Sequence, residues 1–145
     1  RLQYLGIATP APLAVVENRW CWLRGRAWLV TGYCGGQDIL TALHAWLDSP
    51  PPEKYLLALD RLFAALLRER ISHGDLKGTN LMWDEAAGCW LLIDLDAMQQ
   101  HRRQRRFIAA YARDRARFLR NWPAGSALFM LLDKRIPQVP GTCPE

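Results

Sequence analysis

The sequence predicts an α+β domain that is mainly helical. Three observations predict it. Apolar residues recur at helical spacing through the long segment 53–70 and again after residue 104. Short apolar runs of strand character occur only near the start and around residues 81–94. Strands and helices do not alternate as β-α-β units, which argues against a doubly wound sheet. With 145 residues, half of them apolar and 23% charged, the chain falls among single globular domains and outside the disordered class.

The elements follow in order. Pro10 and Pro12 impose an extended lead-in. LAVVE (13–17) and AWLVTGY (27–33) read as two short strands with NRWCWLRGR between them, and Gly35-Gly36 breaks that pattern. In QDILTALHAWL (37–47), Ile39, Leu40, Leu43, Trp46 and Leu47 mark a short helix, which DSPPP ends. The clearest helix is EKYLLALDRLFAALLRER (53–70). Its stripe is Tyr55, Leu56, Leu59, Leu62, Phe63, Leu66 and Leu67, with Pro52 and Glu53 favouring its start and Arg68 and Arg70 its end. A polar loop follows, then two apolar runs around Asp84–Gly88 that read as a hairpin. Gln104 to Trp122 is a helix stopped by Pro123, SALFMLLDKRI is a last helix, and PQVPGTCPE is a tail.

The formal charge is +5, concentrated in HRRQRRFIAAYARDRARFLR (101–120). Such a run suits nucleic acid, an anionic membrane surface or a phosphorylated substrate, and it equally suits a solvated helix face. Cys21, Cys34, Cys89 and Cys143 form no C-x-x-C pair and no metal-ligand spacing with histidine, so a reducing cytosolic setting is expected. No apolar run approaches the ~18 residues of a membrane span, and no signal peptide is visible. The first residue is Arg1 rather than Met, which suggests a piece of a longer protein.

The densest chemistry is in ISHGDLKGTNLMWDEAAGCWLLIDLDAM (71–98). HGDLKGTN fits the H-x-D-x-x-x-x-N loop of protein-kinase-like enzymes. Phosphoryl transfer needs a carboxylate to deprotonate the acceptor hydroxyl, and Asp75 suits that role. It needs a cation near the transferred phosphate, and Lys77 lies two residues on. It needs oxygen ligands for Mg²⁺, which Asn80 and the strand-end Asp94 supply. Taken singly, each has a plainer reading: a loop acid, a surface lysine, a helix cap and a turn residue. Asp96 reads as a turn acid more readily than as a metal contact, and His73 as a structural brace. The ordered set of helix, loop, hairpin and second aspartate carries the inference. Asp114 lies three residues after Tyr111 and four before Phe118, on the apolar seam of its helix. A carboxylate there needs partners: either the catalytic loop, which it would hold in shape, or Arg117 one turn along.

On these segments the chain resembles the bacterial lipopolysaccharide core kinase family, sugar kinases of the Kdo and heptose type with a protein-kinase-like fold. GIATPAPLAVVE resembles that family's lead-in to the fourth strand, SHGDLKGTNLMW…WLLIDLDAM its catalytic loop and metal-binding strand, and YARDRARFLRNW its R-D-L-A-R-L helix. Gly74 departs from the Arg of ordinary protein kinases and removes a partner for a phosphorylated activation loop.

The resemblance implies the mainly helical C-terminal lobe of a kinase-like fold, with short N-terminal strands, a β-hairpin and most of the N-terminal lobe absent. Residues 1–36 would be the end of the N-lobe strands plus the hinge, and 37–145 the C-terminal lobe. It implies ATP and Mg²⁺ as cofactors, with Asp75 and Lys77 catalytic and Asn80 and Asp94 on the metal. Val30, Thr31, Tyr33 and Lys77 would bind nucleotide, the first three through hinge backbone, and His73 and Asp114 would give structural support. Arg102, Arg103, Arg105 and Arg106 would meet an anionic acceptor or the membrane face. The implied partners are ATP, a lipopolysaccharide core sugar and the cytoplasmic face of the inner membrane, with no nucleic acid and a cytoplasmic location. A glycine-rich loop and a strand Lys paired with a helix Glu are not found upstream of the hinge, so this chain alone is expected to be inactive, with very low ATP affinity and turnover, and to expose a lobe-facing apolar surface. Other readings are a pseudokinase-like module binding an anionic lipid or partner, a small-molecule or protein kinase with another acceptor, and a nucleic-acid-binding helical domain. The last leaves the ordered acidic motif unexplained.

Overall fold

The computed structural model describes residues 2–139; Arg1 and Cys143 lie outside the described residues. A 3₁₀ turn at Gln3–Leu5 leads to Ile7, which is fully buried, and the Leu92 amide donates to Ala8 O (2.9 Å), seating this stretch on the core. Strands β1 (Pro12–Trp20) and β2 (Leu23–Thr31) then form an antiparallel hairpin. The sequence placed nine residues between two short strands. The structure instead continues both strands to a tight turn at Cys21-Trp22, with Trp20 opposite Leu23 and Cys21 at φ 54°. Cross-strand pairing extends through NRW and LRGR because a hairpin gains hydrogen bonds with each added pair. Nearly every residue of this hairpin is exposed, including Leu13, Val15, Trp20, Trp22 and Leu23.

The segment 32–38 crosses to the core. Gln37 O accepts from the Trp83 amide (2.9 Å), and a Cβ on Gly36 would stand 1.8 Å from Trp83 O, so only glycine permits this approach. Asp38 caps helix α1 (Ile39–Leu43) by accepting from the Thr41 amide at 2.9 Å. The predicted helix 37–47 is thus shorter, its second half being a 3₁₀ turn at His44–Trp46. Helix α2 (Glu53–Glu69) is the spine. Leu56, Leu59, Phe63 and Leu66 are each at most 2% exposed, and burying a side chain of this size contributes about 1.5–3 kcal/mol. Arg70 ends α2 in the left-handed conformation (φ 52°), its amide turned back to Leu66 O and Leu67 O.

Strand β3 (Ile71–Ser72) pairs with β6 (Gln99–Gln100), while β4 (Leu81–Asp84) and β5 (Cys89–Leu92) form the predicted second hairpin. The β3–β6 pair was not visible in sequence, because two residues carry no periodicity. Helix α3 (Gln104–Leu119) ends before the expected Trp122. There the chain tightens, with the Asn121 and Trp122 amides bonding three residues back and Asn121 Nδ2 donating to Phe118 O at 2.6 Å. Helix α4 (Ala127–Arg135) starts at a Ser126 cap. Phe63 meets Phe118 and Tyr111 edge-on (5.4 and 6.3 Å), and Tyr55, Trp83 and Trp90 form a second aromatic cluster that joins α2 to the β4–β5 hairpin. The Trp90 indole donates to Tyr55 O at 3.0 Å. The architecture is α+β, with four α-helices and three two-stranded antiparallel sheets among the described residues.

Candidate functional site

The polar loop runs from His73 to Asn80, between β3 and β4. Three contacts fix its shape. Asp114, buried at 4% exposure on α3, accepts from the His73 amide (2.6 Å) and the Gly74 amide (3.0 and 3.2 Å). Neither acceptor oxygen pairs with Arg117, the local partner that sequence offered as its alternative. His73 is fully buried, and its Nε2 lies 3.0 Å from Ile93 O. A carbonyl only accepts, so Nε2 carries the proton and Nδ1 faces the Asp75 amide as acceptor (3.4 Å). Asp75 O in turn accepts from the Lys77 amide (2.8 Å) and from Asn80 Nδ2 (2.9 Å). Gly74 sits at φ +83°, where a Cβ would stand 2.7 Å from both Cβ and O of Ala97. Backbone strain and contact therefore both exclude a larger residue at that position.

The Asp75 side chain, 27% exposed, is flanked by two cations: Arg117 Nη2 at 2.5 Å from Oδ1 and Lys77 Nζ at 3.3 Å from Oδ2. Arg117 is the residue that sequence reasoning did not place here. Its signal was present in the spacing, one turn beyond Asp114 on the same helix, but spacing does not say which acid a long side chain meets.

Asn80 and Asp94 lie at the open end of the β4–β5 hairpin. Leu81 pairs with Leu92, and the Ile93 amide donates to Asn80 O at 3.0 Å, so Asn80 and Asp94 are held at one end of the same ladder. Asn80 is buried, its Nδ2 is spent on Asp75, and Oδ1 makes no hydrogen bond among the described residues. Asp94 is exposed and left-handed (φ 58°, ψ 61°). The two offer oxygen donors only, and no group of three or more His, Cys, Asp or Glu poised for a metal occurs among the described residues. That donor set fits Mg²⁺, which uses one or two carboxylates plus substrate phosphates and water rather than a protein cage.

Of the residues expected to form a hinge, Val30 pairs with Ala14 and Thr31 with Pro12 at the end of the β1–β2 hairpin, and the Gly32 amide donates to Ala11 O (2.8 Å). Tyr33 is almost fully exposed. It borders a cleft of about 960 Å³ between segment 32–37 and the β4–β5 turn, which reaches none of Asp75, Asn80 or Asp94. Cys34 and Cys89 line this cleft. Their thiols are pushed up, by burial first and by the Asp84 carboxylate second, which disfavours the thiolate a nucleophile needs.

The four arginines of the 102–106 run are spread around the head of α3. Arg103 is the residue before its first turn, and Arg105 and Arg106 are exposed within it. That turn contains no acid, so these charges sit against the positive end of the helix dipole. Arg102 instead lines a surface cavity with Arg68 and Arg70. None of the four borders the cavity beside the loop at Gly74, about 540 Å³, whose cations are Arg113, Arg117 and Arg120.

No helix among the described residues is long and apolar enough to cross a membrane. No curated protein matches the chain. The family model described as Lipopolysaccharide kinase (Kdo/WaaP) family matches residues 1–121, which take in both hairpins, the polar loop and all of α3. A match over that much of the sequence, with the loop and Asp94 inside it, shows that the chain belongs to the lipopolysaccharide kinase (Kdo/WaaP) family.

Proposed function

We propose that the chain forms the C-terminal lobe of a protein-kinase-like sugar kinase, with residues 1–36 as the end of the N-lobe strands and hinge and 37–145 as the lobe itself. Its reaction is transfer of the γ-phosphoryl group of ATP to a hydroxyl of the lipopolysaccharide inner core. The observation that carries this reading is the fixed placement of Asp75. Its carbonyl accepts from Lys77 and Asn80 and its amide donates to His73 Nδ1, while Asp114 holds the two residues before it. A general base must be positioned before it is useful, and this loop does that with backbone hydrogen bonds rather than side-chain rotamers.

In this reading Asp75 takes the proton of the acceptor hydroxyl as its oxygen attacks the γ-phosphorus and ADP leaves. Lys77 Nζ, already beside Asp75, faces the transferred phosphate. Asn80 Oδ1 and Asp94 would hold Mg²⁺, which would supply charge neutralisation on the phosphates. Val30, Thr31 and Tyr33 receive the adenine through main-chain groups, and Arg102, Arg103, Arg105 and Arg106 draw in the anionic acceptor or the membrane face. The protein works in the cytoplasm, against the inner membrane.

A second reading draws on the apolar hairpin. Trp20, Trp22 and Leu23 are 74–98% exposed at its tip beside Arg19 and Arg24, a combination that suits an anionic lipid surface or partner. One experiment separates the two. The full-length protein is incubated with Mg²⁺, γ-labelled ATP and lipopolysaccharide core acceptor, beside Asp75→Asn. Label transfer that falls about 10²–10⁴-fold in Asp75→Asn supports the kinase and its base. Nucleotide binding without transfer points to another acceptor. No nucleotide binding, with retention on anionic vesicles, favours the binding module.

A further inference from the structure

The cavity beside the catalytic loop has a composition that the base, metal and hinge roles do not use. Three guanidinium groups line it: Arg113 and Arg117, one turn apart on the same face of α3, and Arg120 at the helix C-cap. Across from them stand Ala97 and Gln99, from the stretch after Asp94, and Gly74 of the loop. Ala97, Ala110 and Ala116 are small, so the space of about 540 Å³ stays open. That size is within the ~300–1,000 Å³ of small-molecule sites. One carboxylate, Asp114, also borders the cavity, but its oxygens are occupied by the His73 and Gly74 amides. Arg113 and Arg120 make no ion pair among the described residues, whereas Arg117 reaches out of the row to Asp75.

The Arg117–Asp75 pair matters because it occupies the base. With Arg117 on Oδ1 and Lys77 on Oδ2, each oxygen of Asp75 faces a cation, and an acceptor hydroxyl has to compete with one of them for access to the carboxylate. A second anion in the cavity offers Arg117 an alternative partner one side-chain swing away. Arginine is suited to this exchange, since its planar fork matches a carboxylate or phosphate in two-point contact.

We infer that the Arg113–Arg117–Arg120 cavity is the subsite for an anionic group on the acceptor, a carboxylate or a phosphate carried on the sugar that accepts the phosphoryl group. Binding of that anion moves Arg117 off Asp75 and frees Oδ1 for the neighbouring hydroxyl, so a neutral sugar leaves the base engaged. The role of Asp75 in this inference rests on the kinase reading; the anion site itself can be measured without nucleotide.

The test titrates isotope-labelled chain with glucuronate, glucose 6-phosphate and neutral glucose, and follows the arginine Nε–H signals and the Asp75 amide by NMR. The expected result is that at least one anionic sugar shifts Arg113, Arg117 and Arg120 together with the Asp75 amide, while glucose does not. Whether the carboxylate or the phosphate is the stronger probe identifies the source of the charge. The double substitution R113Q/R120Q should weaken that binding at least tenfold. Because both side chains are exposed, circular dichroism confirms its fold, and the single R120Q variant decides the matter if the double does not fold. Shifts confined to Arg102–Arg106, equal shifts with glucose, no shifts at all, or unchanged affinity in the folded variant would overturn the inference. Mg·ATP binding is measured separately. Mg·ATP binding by the full-length protein without the anion response sinks this inference alone, and the anion response with no nucleotide binding by the full-length protein sinks the kinase reading alone.

Discussion

A single buried carboxylate shows how the site is assembled. Asp114 takes charge-assisted hydrogen bonds from the amides of His73 and Gly74, the two residues before Asp75. An asparagine there keeps one acceptor oxygen and turns an NH₂ towards an amide that also donates. The loss is that of one hydrogen bond to a charged group plus an unsatisfied donor, about 2 kcal/mol. Asp114→Asn is therefore expected to lower the thermal midpoint by several degrees. Phosphoryl transfer should fall further than Mg·ATP affinity, because the loop's position is lost while the hairpin that carries Asp94 remains. Equal melting and equal turnover in the variant would remove Asp114 from the site. Gly74 makes the same point from the backbone. A positive φ and 2.7 Å of clearance to Ala97 explain a glycine before Asp75 on steric grounds alone, independent of any regulatory arginine.

At the scale of elements, α3 is tied to the rest through polar groups as well as its apolar seam. Tyr111 is buried against Phe63 and Phe107, and its hydroxyl donates to Pro137 O at 3.0 Å. Arg115 reaches Asp133 Oδ1 (2.7 Å) and Ile136 O (3.2 Å), closing α3 onto the end of α4. Burial, opposed by Arg115 and aided by Asp114, pushes the Tyr111 hydroxyl well above the ordinary tyrosine range. The folded state then holds its proton at pH values where the unfolded chain, titrating near ~10, releases it. The sign follows: Tyr111 adds stability in full below about pH 10, and this is lost as pH rises beyond that value. Denaturant midpoints measured between pH 9 and 11 should decline, and Tyr111→Phe should flatten the decline. An equal slope in the variant would mean that other groups cause it. The ion pairs of Arg135 with Asp60 and Glu53 join α4 to α2, but they are partly solvated and contribute only about 0–1 kcal/mol.

Over the whole molecule, the β1–β2 hairpin exposes tryptophan and aliphatic side chains among Arg19, Arg24 and Arg26, and further arginines crowd the head of α3, the end of α2 and the cavity beside the loop. Charges outside the cavity act at a distance, so in the kinase reading their effect would be to attract an anionic acceptor, and salt would screen it. Replacing Arg102, Arg103, Arg105 and Arg106 by glutamate is expected to weaken acceptor binding at least tenfold at low ionic strength, and less at high salt. Mg·ATP affinity should stay unchanged. A loss of nucleotide affinity with acceptor binding intact would refute the assignment.

Periodicity in the sequence determined α2, the β4–β5 hairpin and α3, because each buries an apolar face whose spacing is written along the chain. The loop motif placed Asp75, Lys77, Asn80 and Asp94 in order for the same reason: the spacing is local. Other features were decided only in three dimensions. The β3–β6 pair is two residues long, and its partners lie 27 residues apart at Ser72 and Gln99 and 29 apart at Ile71 and Gln100. The extension of β1 and β2 to Cys21-Trp22 depends on cross-strand bonds rather than on burial, so hydropathy could not reveal it. Arg117 chooses Asp75 over its neighbour Asp114 because the loop amides already occupy Asp114. Which acid a flexible cation meets is settled by what else competes for that acid, and that competition exists only once the chain has folded.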